Sequence, residues 1–220
     1  MIVNCVGLFN YENAVGEALL KGFSPLLDTE VAVLTNSPNI VNYNFAELIK
    51  NKLKDDNTFI FNSKFVNELK EVDIHYADKI CDELNHLFRT IKILINALLL
   101  ADKRGKMLFI TTNPSISHSS GFPISPIYDE AIHALIRSLA KEFKPAQIAF
   151  HGICVEPIFE MIDKSELRDY RKKMKVYGMQ KSPIKLEALV SFIKNVASTD
   201  LRPSSGNIFY IAEGLDQMNF

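Results

Sequence analysis

The 220-residue chain has no tryptophan, only three cysteines and nine glycines, and a net charge of -1 with the histidines neutral. Each scarcity excludes something. Cys5, Cys81 and Cys154 stand at neither metal-ligand nor redox spacing, so they read as small buried hydrophobes of a reducing compartment. The balanced charge gives no reason to expect a nucleic-acid partner. The longest apolar run, ILINALLLA after Lys92, is too short to span a bilayer. The N-terminus enters the apolar IVNCVG at once, without a basic leader or cleavage signal. The expectation is a soluble cytoplasmic protein that makes no membrane contact. His75, His86, His118, His133 and His151 show no ligand spacing, and no metal is expected.

What the chain does have is hydrophobic material, 47% of its residues, enough for one well-cored domain over residues 1–220. No repeat, linker or low-complexity tract interrupts it. The apolar segments alternate with amphipathic ones. Strands are expected at residues 2–6, 31–35, 58–62, 107–111, 147–155 and near 204–214, with a weak one at 39–44. Helices are expected at AVGEALLKGF, at residues 45–54, 77–103 and 186–198, and after Ser125. In the helix after Ser125, Pro126 takes the first position, Lys144-Pro145 stops the helix, and Ile127, Ala131, Leu135, Leu139 and Phe143 mark an apolar stripe. The long helix carries Ile80, Leu84, Leu87, Ile91, Leu94, Leu98 and Leu99 toward a core. Residues 163–182 hold seven basic residues among three acids, either a solvated face or an attraction for anionic ligands.

The stretch GKMLFITTNPSISHSSGFPISPIYDEAIHALIRSLAKEF, with AFHGI after it, resembles the short-chain dehydrogenase/reductase family. In that family a strand leads to a catalytic Ser, and a Tyr-x-x-x-Lys opens the next helix. The resemblance covers the whole chain. It implies an α/β, Rossmann-like, doubly wound parallel sheet in three α/β/α layers, here with one early helix missing between strands two and three. It also implies Tyr128 as the acid-base group and Ser115, 13 residues before it, as the group holding the substrate oxygen. Aligning GKMLFITT instead puts Thr112 in the Ser position. Asn85 lies near the family's proton-relay Asn, or is simply an exposed polar residue.

The resemblance also exposes departures. Ile132 stands where the family has Lys, and an unassisted Tyr with a pKa near 10 is phenolate in only about one molecule in a thousand at neutral pH. The cofactor turn keeps Gly7 as its first glycine, but Asn10 and Glu12 occupy the next two positions. A carboxylate there opposes a pyrophosphate. Asn36 and Ser37 provide no ribose-gripping Asp after the second strand. Three readings follow: a member without NAD(P) that pairs as a homo-oligomer or with an active paralogue, an NAD(P)-dependent reductase of the 3-oxoacyl-carrier-protein type, and a cofactor-independent lyase using Ser115 and Tyr128. The third rests on the opening strand-loop-helix, which is similar to that of halohydrin dehalogenases with Phe9 at their aromatic position. Their Arg would also fall at Ile132.

Overall fold

The computed structural model describes residues 5–9, 14–23, 30–34, 51–62, 76–112, 126–155, 158–161, 168, 172 and 183–211. Six parallel strands form one sheet: β1 Cys5–Phe9, β2 Glu30–Leu34, β3 Asp56–Phe61, β4 Arg104–Thr112, β5 Ile148–Val155 and β6 Ile208–Ile211. Their spatial order is β2-β1-β3-β4-β5-β6. Among the described residues, four full helices accompany them: α1 Ala14–Phe23, α2 Tyr76–Ala101, α3 Pro126–Glu142 and α4 Leu186–Ser198. The central strands β4 and β5 are buried along nearly their whole length. Continuous apolar strands covered on both faces are what an all-parallel sheet requires.

Strand pleating divides the side chains between two cores. Met107 and Phe109 join Phe59 and Phe61 under α2 and α3, with the Phe61 and Phe109 rings stacked at 4.8 Å. Leu108 and Ile110 point the other way, onto Leu19 and Phe23 of α1 and Leu189 and Ile193 of α4. The link from α2 to β4 is tight. Asp102 adopts a left-handed φ of 51°, and Lys103 N–H donates to the Leu98 carbonyl at 3.0 Å, an αL helix ending. At Gly105 an added Cβ would lie 2.4 Å from Leu98 Cδ1, so only glycine lets the helix end lie this close to the strand.

Three expectations are corrected. The first strand runs on through Cys5–Phe9, with residues 2–4 outside the described residues, so Gly7 lies within β1, opposite Ala32 and Phe59, and is not the first glycine of a turn. Ile127 is 62% exposed, and the buried stripe of α3 is Asp129, Ile132, His133, Ile136, Leu139 and Ala140. Residues repeating strictly every four drift about 40° per step around a helix, so of the expected stripe Leu135, Leu139 and Phe143 reach the core while Ile127 at its start does not. The three-and-four spacing does not drift. On α2, Leu99 is likewise exposed rather than in the core. Tyr76–Ala101 is long and apolar enough to cross a membrane by length and composition, more than its longest apolar run foretold, but Leu87, Ile91, Leu94 and Leu98 are spent covering the sheet.

The expected weak strand at 39–44 and the missing early helix lie outside the described residues, as does most of the helix at 45–54, of which Asn51 and Lys52 are helical. Of the basic segment, Arg168 and Lys172 are described, and both are exposed.

Candidate functional site

In doubly wound sheets, ligands bind beyond the carboxyl ends of the strands. Here β4 ends at Thr112 and α3 begins at Pro126, which puts Tyr128 in the helix's first turn at that end of the sheet. Asp129, the next residue, is fully buried. Its Oδ2 accepts from the Thr112 backbone N–H at 3.0 Å and also from the Thr112 hydroxyl. A carboxylate in a helix's first turn also suits the dipole. Thr112 is therefore committed to joining strand and helix. The Cys154 thiol donates to the Thr112 carbonyl at 3.3 Å, bringing β5 into the same junction. Ser115 lies outside the described residues, and Asn85 is exposed on α2.

One turn further on, Thr111 Oγ1 and His133 Nε2 are 2.8 Å apart, and His133 Nδ1 is 3.8 Å from Glu130 Oε1. A hydroxyl, an imidazole and a carboxylate in a row have the composition of a nucleophile relay. Thr111 and His133 are only 1% and 2% exposed, however, so no substrate reaches that hydroxyl. Burial also lowers the His133 pKa, against the pull of Glu130. The neutral ring braces α3 against β4.

Tyr128 packs at the margin of the core formed by α2, α3 and the sheet. Burial raises its pKa first of all, and the carboxylates of Glu83 and Asp129 push it up further. The position one turn on, where a cation would reverse this, is Ile132. That side chain is 3% exposed and part of the same apolar cluster. A proton-transfer group works best with a pKa near the working pH, and burial, Glu83 and Asp129 all move this phenol the other way.

Among the described residues, the position one turn from Tyr128 holds the apolar Ile132, which does not fit a nicotinamide ribose. The link between β1 and α1 is no better suited. With β1 ending at Phe9 and α1 starting at Ala14, it is Asn10-Tyr11-Glu12-Asn13, without a glycine. Backbone amides approach a pyrophosphate closely only where no Cβ intervenes. The residues after Leu34 (Thr35, Asn36 and Ser37) include no carboxylate for a ribose.

Sequence reasoning had named Thr112 only as a stand-in for Ser115, and had missed Asp129. The signal was available: a carboxylate three residues before Ile132 and seven before Ile136 lies on the buried face of any helix that turns those isoleucines inward.

No family model matches the chain, and no curated protein matches it. Solved structures do. A short chain dehydrogenase from Bacillus anthracis superposes with a TM-score of 0.75 at 12% identity, covering 99% of this chain and 98% of its own. A protein named as an NAD(P) dependent gluconate 5-dehydrogenase from Beutenbergia cavernae, with NADP bound at low occupancy, gives 0.71 at 12% identity and 97% coverage of each chain. A short chain oxidoreductase from Pseudomonas aeruginosa, described as containing an atypical catalytic center, gives 0.68 at 15% identity and 98% coverage of each. Together with the parallel sheet and its strand order, these likenesses show that the chain has the fold of the short-chain dehydrogenases.

Proposed function

We propose that this chain retains a dehydrogenase scaffold without its hydride chemistry and serves as a non-catalytic partner subunit. One observation carries the reading: Ile132, at the position of the family's lysine, is buried in the core, while burial and the carboxylates of Glu83 and Asp129 push the Tyr128 phenol up. An enzyme that works by proton donation to a carbonyl needs an acid far stronger than this phenol.

The surface for a partner is the outer side of α2 and the start of α3. Phe88, Leu99 and Leu100 on α2 and Ile127 on α3 are 54%, 47%, 80% and 62% exposed. Phe88 and Leu99, eleven residues apart, differ by only about 20° around the helix, so they form one stripe. Large apolar side chains aligned on one exposed face favour association. The partner is a second copy or an intact reductase of the same fold. Light scattering tests this: the purified chain gives the mass of a dimer or larger, alone or mixed with such a reductase. Phe88→Lys with Leu99→Lys reduces it to the monomer. A wild-type chain that stays monomeric in both settings would contradict the proposal.

A second reading, an NAD(P)-dependent reductase of the 3-oxoacyl-carrier-protein type, is supported by the likeness of fold to a structure named as NAD(P) dependent. It requires a cation from a part of the chain other than position 132. The lyase reading keeps Tyr128 and Ser115 as its acid-base pair and shares the same deficit at Ile132.

A further inference from the structure

On the α1 and α4 side of the sheet, the core contains two titratable groups that the site at Tyr128 does not use. Lys106 of β4 is 9% exposed. Its ammonium donates to the carbonyls of Val196 at 2.8 Å and Ala197 at 2.9 Å, and also to that of Thr199. These are carbonyls of the last turn of α4, where a cation suits the helix dipole and satisfies otherwise orphaned acceptors. Beside it His151 of β5 is fully buried, its ring 5.6 Å from that of Phe209 on β6. Neither ring nitrogen makes a hydrogen bond of ordinary geometry, although the backbones of Leu201 and Asn207 come near enough to favour the charged form a little.

The charged groups facing the pair come from three elements. Asp200 and Arg202 follow α4, pairing with each other at 2.5 Å, and Asp56 lies on β3, paired with Arg104 of β4 at 3.2 Å. β6 brings none, since it consists of Ile208, Phe209, Tyr210 and Ile211. It is also the outermost described strand on its side, is paired through four residues of β5, and is nowhere fully buried. We propose that His151 and Lys106 form a proton-sensitive clasp holding β6 and the C-terminal end of α4 on the sheet, which opens when His151 takes up a proton.

The reason is electrostatic. An imidazolium at this place would lie beside the Lys106 ammonium, in an apolar setting, with the nearby carboxylates already paired to arginines. Such a charge costs too much to keep buried. Opening β6 returns the ring to water. Burial, followed by the Lys106 charge, holds the His151 pKa at about 4, against about 6.5 for an exposed ring. The folded pKa is depressed, so the closed state is fully favoured above pH 6.5 and loses ground as the pH falls toward 4.

Hydrogen exchange of the whole chain, corrected for intrinsic rates, tests this. Between pH 7.5 and pH 5, protection of the β6 amides and the last turn of α4 falls about 30-fold, the ratio set by those two pKa values. Protection in β3 and α2 stays unchanged. His151→Phe, which keeps a ring against Phe209, removes the difference; if it folds poorly, His151→Leu replaces it, and a proton NMR titration of wild-type His151 reads the ring directly. Equal protection at both pH values, the same fall in the His151 variant, loss of protection everywhere at once, or a ring that titrates near 6.5 would each overturn the proposal.

Discussion

Replacing Ile132 with lysine destabilises the fold by about 4 kcal/mol in chemical denaturation and creates no site for a nicotinamide nucleotide. On sequence grounds the substitution is a repair, since it restores a Tyr-x-x-x-Lys. Energetically it is damage. Ile132 is 3% exposed among Ile136, Leu139, Met107 and Phe109, so the new ammonium loses its water while a well-packed apolar side chain is lost. About 4 kcal/mol is a large share of the 5–15 kcal/mol typical of a whole domain, and partial unfolding at 37 °C is expected. Wild-type stability together with NADPH-dependent fluorescence in this variant would show that position 132 opens onto a cofactor pocket, contrary to the packing described above.

The second large effect belongs to Asp129. Asp129→Ala strips the Thr112 N–H and hydroxyl of their acceptor in a place where Thr112 is 1% exposed. Buried donors left without partners cost about 1–3 kcal/mol each, so a loss of about 3 kcal/mol is expected, with the end of β4 and the first turn of α3 losing amide protection together. Asp129→Asn, whose amide oxygen can still accept, loses roughly half as much. If Asp129→Ala proved as stable as wild type, the carboxylate would not be the joint between strand and helix. Its burial would then call for a ligand.

Much of the fold was legible because its elements are strongly patterned. AVGEALLKGF, the helix at 186–198 and the start at Pro126 match α1, α4 and α3, since apolar periodicity, and at α3 the proline at the first position, mark them. The parallel sheet follows from β4 and β5 reading as almost unbroken apolar runs. Gly7 was misjudged because IVNCVGLF is apolar over more residues than one short strand needs, and composition alone cannot fix which of them pair. The C-terminal half of the α3 stripe, Leu135, Leu139 and Phe143, does face the core, but a four-residue repeat winds around the helix and puts Ile127 in solvent. Starting the face at Ile127 hid the site, since the true face carries Asp129 and His133 among isoleucines. The spacing to Ile132 and Ile136 marks Asp129 as inward-facing, but no local signal in the sequence encodes its partner Thr112, 17 residues away, or the partner Thr111 of His133, 22 residues away.

Calorimetric titration of the purified chain with NADPH and with NADH bears most directly on the central claim, that the dehydrogenase fold persists here without a coenzyme cradle or a tuned phenol. No saturable heat is expected with either nucleotide up to millimolar concentration. One-to-one binding in the micromolar range would contradict the claim.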